Sequence, residues 1–318
     1  MTTHDRWEPK LRVAASNLGG SGYRIPTRIG EDGKPLLVPG VTTVLGVLEK
    51  PGVLQWSIDN TSAYAIANVD ALLNRTEEQG FGFLRFWHRR MKEADFDNPE
   101  VDIYNYSNGV LNDLAELGTK THDWVADYAN DYFTDDELPR REHEEMVIEF
   151  LEWWNAHDIQ VVETEVTVVM TTPSGETAAG TLDHIWIIDG VPTLVDVKTS
   201  RKTRDEHFAQ LAALGAATSI MREVTADTPG AVEYETKKWG KTYWIEEPLP
   251  AFSDYRILHL RPSDVDNKGY RMKPFCELKK VKPGKIEAGW KLFSAALDAR
   301  LAQREMKLLD REEKNDMA

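Results

Sequence analysis

Asp183, Asp196 and Lys198 have the residue types and spacing for chemistry in this 318-residue chain, and the turn between them decides whether they meet. Asp189-Gly190 favours a two-residue type I′ hairpin loop. Thr181 to Ile188 and Val191 to Thr199, on either side, are rich in β-branched and apolar residues, as strands are. With Asp189 and Gly190 as the loop, Ile188 faces Val191, and counting back places Asp183 opposite Asp196. Directly opposed Cβ atoms lie roughly 4.5–5.5 Å apart. Like charges that close destabilise a sheet, and a divalent cation held by oxygen ligands removes the conflict. Side chains alternate with period two, so Lys198 shares the face of Asp196 while Val197 points away. Two carboxylates and an ammonium on one surface are what metal-dependent phosphodiester cleavage needs: oxygen ligands for the ion and a cation for the phosphate charge. The competing reading is an exposed hairpin with solvated charges, and one extra loop residue would turn every side chain to the other face.

Neighbouring elements offer further candidates. A strand from Val161 to Met170 carries Glu163, Glu165 and Thr167 on one face. A three-residue loop of Pro173, Ser174 and Gly175, with the glycine in the left-handed region, leads to the next strand. That register sets Glu165 opposite Asp183, so Glu165, Asp183 and Asp196 form a row across three strands. Val110 to Phe133 reads as a helix with Leu111, Leu114, Ala115, Leu117, Val125 and Tyr128 on its apolar face. Gly118 interrupts it, and a close backbone approach is expected there, since glycine costs about 1 kcal/mol against alanine in a helix. His122, one turn on, gains meaning if it faces the Asp183–Asp196 pair. Thr203 as N-cap with Glu206 at N3 predicts a capping box and a helix from about Arg204 to Met221. Gln210 on that helix has an amide suited to a phosphate or a water.

The elements that must hold these residues follow in order. A hairpin spans Tyr23 to Val38 around Glu31-Asp32-Gly33. Val38 to Leu45 is a turn and then an extended or helix-entry segment, and Val53 to about Leu73 is a helix. The aromatic and basic run FGFLRFWHRRMKEA (81–94) suits base stacking and phosphate contact, or simply a core. Arg140 to His157 is helical. Lys237, Lys238, Trp239, Lys241 and Trp244 interleave in a turn-rich stretch. Strands are expected at Tyr255–Leu260 and Tyr270–Leu278, and a closing helix at Ile286–Leu309. The order predicts an α/β (α+β) fold with a single mixed sheet whose central three strands are antiparallel. A helical N-terminal elaboration over 1–109 and a core over 110–318 are expected to form one compact unit.

Composition bounds the function classes. No apolar run approaches the about 18 residues of a membrane helix, and the N-terminus lacks the pattern of a secretory signal. A cytoplasmic location is therefore expected. The single cysteine, Cys276, excludes an intrachain disulfide and a cysteine-ligated iron–sulfur cluster. The formal net charge of −15 is awkward for a DNA-acting protein, which usually shows a basic footprint.

Five pieces in order resemble the RecB-type nuclease family of the PD-(D/E)XK superfamily, in particular small phage-encoded exonucleases similar to CRISPR-associated exonucleases. G-T-x-x-H is Gly118 to His122. A strand glutamate is Glu165. G-T-x-D is Gly180 to Asp183. D-x-K is Asp196 to Lys198, and a helix glutamine is Gln210. The likeness runs from about Val38 to Leu260, and Val41 to Leu48 with Trp56 downstream is similar to the N-terminal part of phage members. Two departures stand out. Many members carry Q-x-x-x-Y, but position 214 is Leu214. Many also hold an iron–sulfur cluster with four cysteines, so this chain would be a cluster-free variant.

The resemblance implies a PD-(D/E)XK restriction-endonuclease-like core and a divalent-metal-dependent deoxyribonuclease, an exonuclease in preference to an endonuclease. It implies that His122, Asp183, Asp196 and the carbonyl of Val197 bind Mg²⁺ or Mn²⁺. Lys198 would orient the attacking water and stabilise the transition state. Glu165 would tune the metal or a second cation, and Gln210 would support the site or touch DNA. Expected partners are DNA ends or single strands, and a recombination or single-strand-binding protein. Two other readings stand beside it: a non-catalytic DNA- or protein-binding recombination accessory on the same fold, and a metal phosphoesterase of small nucleotides.

Overall fold

The computed structural model describes residues 6–15, 18, 20–48, 51–70, 73–74, 77, 106–132, 144–265 and 270–316. It divides into two units, one of Met1–Leu48 with Thr121–Ala318 and one of Glu49–Lys120. In chain order the elements are β1 (Arg12–Ala15), β2 (Gly20–Ile29), β3 (Pro35–Pro39), α1 (Val41–Leu45), α2 (Pro51–Ala67), α3 (Tyr106–Ala129) and α4 (Glu144–Asn155). Then come β4 (Ile159–Thr171), β5 (Thr177–Ile188), β6 (Val191–Lys198), α5 (Asp205–Gly215), β7 (Ser219–Val224), β8 (Val232–Thr236) and β9 (Gly240–Pro248). The chain closes with β10 (Asp254–Arg261), β11 (Asp264–Val265), β12 (Arg271–Met272), β13 (Phe275–Lys280) and α6 (Pro283–Asp316). The smaller unit holds α2 and α3 as far as Lys120. The aromatic and basic run at 81–94 lies outside the described residues.

The larger unit is built on an eight-stranded mixed sheet in the order β13-β10-β6-β5-β4-β7-β9-β8. The central trio β4-β5-β6 is antiparallel, and β10 lies parallel to β6. Two short turns set the central registers. Asp189 (φ 51°) and Gly190 (φ 82°) both occupy the left-handed region that a type I′ loop requires, and Ile188 faces Val191 as expected. Gly175 (φ 90°) closes the β4–β5 loop, where the Thr172 N–H donates to the Glu176 carbonyl at 2.8 Å.

Both faces of the sheet are covered. Leu182, Ile185 and Leu194 pack with α1, α5 and α6 through Val44, Leu211, Leu214 and Phe293. On the other face Trp186, Val195 and Val197 meet Trp124 and Val125 of α3 and Phe150 of α4. Each large side chain buried this way contributes about 1.5–3 kcal/mol. The three-stranded sheet β1-β2-β3 packs through Tyr23, Ile25 and Val38 onto Val169, Ala179, Met221 and Trp244. A backbone bridge joins Gly40 to Ala179.

The glycine of G-T-x-D has a packing reason. A Cβ on Gly180 would lie 2.8 Å from Leu214 Cδ2 and 2.9 Å from Val41 Cγ2, so α5 and α1 close over β5 only if the position is bare. Gly180→Ala is expected to cost about 1–3 kcal/mol by overpacking. The urea denaturation midpoint reports it, and an unchanged midpoint would contradict this packing.

Several expectations need correction. The helix predicted from Arg204 to Met221 is shorter: α5 starts after an Arg204 N-cap and ends at Gly215. His207, not Glu206, stands at N3, and its Nδ1 accepts the Arg204 N–H at 3.3 Å. The Thr203 hydroxyl instead lies 3.3 Å from Lys279 Nζ. Ser219 to Val224 forms a strand because Ser219, Ile220 and Met221 pair with Val169, Val168 and Thr167, and that ladder outweighs local helix preference. Of the two forms left open for Val41–Leu45 the helix is found, and Tyr270–Leu278 is split between β12 and β13.

Candidate metal centre

Glu165 and Asp183 meet because β4 and β5 keep one register across them, with Val166 opposite Leu182 and Thr164 opposite His184. Glu165 has φ 48°, left-handed and uncommon for a residue with a side chain. Strict alternation would send Leu182 and Ile185 to opposite faces, yet both pack in one cluster. The period breaks beside Glu165. Glu163 and Glu165 consequently find different partners: Glu163 pairs with Arg222 at 2.6 Å, while Glu165 turns toward His122.

Asp196 follows Val195, which pairs with His184, so the β5–β6 register carries it opposite Asp183. His122 comes from α3, whose neighbouring Trp124 and Val125 pack against Val195 and Val197 on either side of Asp196 in the chain. Its Nδ1 is 3.3 Å from Asp183 Oδ2 and 3.9 Å from Glu165 Oε1. One donor atom from each of His122, Glu165 and Asp183 lies within 4.8 Å of the other two. Asp183 Oδ2 accepts the Val197 N–H at 2.7 Å. Lys198 Nζ sits 2.7 Å from Asp196 Oδ2 and donates to the Val197 carbonyl at 3.1 Å. His122 also hydrogen-bonds the Val197 backbone. His122, Glu165, Asp183, Asp196, Val197 and Lys198 thus come together from four elements.

Gln210 is not tied to them. It lies half-buried on α5, and its amide makes no hydrogen bond among the described residues. Leu214 is sealed in the core against Gly180.

Burial dominates the electrostatics of the cluster. Burial, then Asp183, push the Glu165 carboxyl well above the ordinary carboxylate range. Burial raises Asp183 too, against the opposing pull of Lys198 and the Val197 N–H. Asp196 is 1% exposed, and burial raises it to about 6 despite Lys198. Beyond that ion pair, both Asp196 oxygens are shielded and accept no hydrogen bond among the described residues. Burial acts against the Lys198 charge, yet Asp196 and Asp183 outweigh it and hold its pKa above the usual value. Burial, then Lys198, hold His122 down to about 4, which leaves a neutral imidazole with a lone pair to give. Carboxylate oxygens, a carbonyl and an imidazole form a donor set that fits Mg²⁺ or Mn²⁺, and Asp196 Oδ1, buried without a partner among the described residues, is what a cation would satisfy.

Three nearby residues escaped sequence reasoning. Asp123, beside His122, lies within electrostatic reach of His122 and Glu165. His184 is fully buried, stacks on Trp186 with ring centroids 4.5 Å apart, and has neither ring nitrogen bonded among the described residues. Tyr23 of β2 shares a hydrogen bond of 2.9 Å with the Thr181 hydroxyl of G-T-x-D. Position next to a motif residue signals the first two. Nothing local signals Tyr23, which arrives only when the β1–β3 sheet docks.

No helix among the described residues is long and apolar enough to cross a membrane. No protein-family model matches the chain, and no curated protein matches it.

Proposed function

We propose that this chain is a divalent-metal-dependent deoxyribonuclease on a PD-(D/E)XK-type core, acting from DNA ends in phage recombination, repair or processing. The observation that carries the reading is the convergence of His122, Glu165 and Asp183, with donor atoms within 4.8 Å, beside the Asp196–Lys198 pair. His122, Asp183, Asp196 and the Val197 carbonyl would hold Mg²⁺ or Mn²⁺, with Glu165 as a further oxygen donor. A bound divalent ion supplies Lewis-acid polarisation of the phosphate and a lowered pKa for water.

The side chains do the rest. Lys198 places a fixed ammonium beside the scissile phosphate, where negative charge grows as water attacks in line. The Val197 N–H fixes one Asp183 oxygen, which aims the other. Neutral His122 keeps a nitrogen free for a ligand's role. Gln210 is left as a candidate DNA contact from α5.

End-labelled linear and closed circular DNA, incubated with and without Mg²⁺ or Mn²⁺, test the reading. Loss of label from linear DNA only with metal is expected, with circular DNA spared. No hydrolysis with either ion would overturn it, and cut circles would make the enzyme an endonuclease. The net charge of −15 favours the second reading, a non-catalytic DNA- or protein-binding accessory. Manganese calorimetry separates the two, because the accessory needs no metal near neutral pH.

A further inference from the structure

We propose that Arg12, at the start of the β1–β3 sheet, is a phosphate-binding residue for the DNA strand, carried to the rim of the carboxylate cluster by Tyr23. The inference rests on the nuclease reading and deepens it, because a chain of net charge −15 must find local cations for phosphate contacts.

Three observations place Arg12. In the β1–β2 register Arg12 is directly opposite Tyr23, so the two side chains share a face. The Tyr23 hydroxyl is 2.9 Å from the Thr181 hydroxyl, and Thr181 stands two residues before Asp183 on β5. Two strand residues span roughly 6.6–6.8 Å. Tyr23 lies within electrostatic reach of both Arg12 and Glu165.

The mounting is rigid. Tyr23 is 5% exposed, with its ring against Gly40, where an added Cβ would come within 3.4 Å of Tyr23 Cε2. Thr43 of α1 pins the adjoining turn of β2, accepting the Ser21 N–H at 3.0 Å and donating to the Ser21 carbonyl at 2.8 Å.

The Arg12 charge is free for a ligand. The residue is exposed, and its one side-chain hydrogen bond among the described residues is a long 3.4 Å contact to the Ser21 hydroxyl. It has no carboxylate partner among the described residues. A guanidinium fork binds phosphate through two parallel hydrogen bonds.

The test compares wild type with Arg12→Ala and Arg12→Lys. Steady-state hydrolysis of linear DNA is measured with Mg²⁺, and fluorescence anisotropy of a labelled DNA oligonucleotide is measured with Ca²⁺ over a range of salt. Arg12→Ala is expected to raise KM about tenfold while kcat stays within about twofold. The slope of log affinity against log salt should fall by about one, the loss of one phosphate contact. Arg12→Lys should restore the slope and only part of the affinity. An unchanged slope and KM in an active enzyme overturn this inference and leave the nuclease reading standing. So does a fall in kcat alone, which would mark a structural role. Wild-type protein that binds DNA with an Arg12-dependent slope but never cleaves it would support the inference and sink the nuclease reading. No DNA binding by the wild type sinks both.

Discussion

Lys198→Ala is expected to lower the rate of metal-dependent DNA hydrolysis by about 10²–10³ at saturating Mn²⁺, the usual loss when one fixed transition-state charge is removed. Lys198 Nζ is 2.7 Å from Asp196 Oδ2 and 3.1 Å from the Val197 carbonyl, so the ammonium is held from two sides and needs no rearrangement as charge develops. Its side chain is 13% exposed, which keeps water from screening it. Mn²⁺ affinity moves the other way. Without the ammonium, Glu165, Asp183 and Asp196 lose their nearest positive charge, so calorimetry should find binding unchanged or tighter. The two readouts together separate loss of chemistry from loss of the ion. Lys198→Arg keeps a charge but swaps a compact donor for a wide planar one, and partial activity is expected. An undiminished rate in Lys198→Ala would remove this cluster as the active site.

Much of the cluster was legible because two tight turns carry register information in their own residues. Asp189-Gly190 demands a two-residue loop, and Pro173-Ser174-Gly175 closes the other hairpin. From these alone Asp183 falls opposite Asp196, and Glu165 opposite Asp183. Each neighbouring residue that stayed hidden depends on contacts distant in sequence. The break in alternation at Glu165 comes from its left-handed backbone, which no motif announces. Glu163, expected on the face of Glu165 and Thr167, is instead drawn to Arg222 of β7. Strand β7 occupies the predicted tail of a helix because its pairing partner on β4 lies some fifty residues back in the chain. Tyr23 and Arg12 belong to a sheet whose docking depends on apolar contacts with Ala179 and Met221, invisible to any local pattern. Parallel pairing of β10 with β6 is non-local in the same way.

Metal-free Asp196→Asn is expected to be more stable than the wild type near neutral pH, by up to roughly 3 kcal/mol, and to lose that advantage in acid. Burial raises the Asp196 carboxyl from 3.8 to about 6, so the folded chain takes up this proton at higher pH than the unfolded chain. Through this group the fold is therefore most stable below about 3.8, and that stability is lost as pH rises through about 6. Above that range the buried charge, with Asp183 opposite, is a standing penalty that the amide does not carry. His122 and His184 act in the opposite sense, since pKa values held down to about 4 and about 3 make acid unfavourable. Both chains contain them, and Asp196 acts on His122 only as a charge smaller in effect than burial and Lys198, so the difference between variant and wild type reports mainly the carboxyl. Urea denaturation with a chelator, run from about pH 4 to about pH 8, should show the two curves converging toward acid. Excess Mn²⁺ should then invert the order near neutral pH, because the ion binds only the folded wild type tightly and stabilises it by mass action. A gap that does not change with pH would mean that Asp196 is not a strained buried charge, and equal stabilisation of both chains by Mn²⁺ would mean that it is not a ligand.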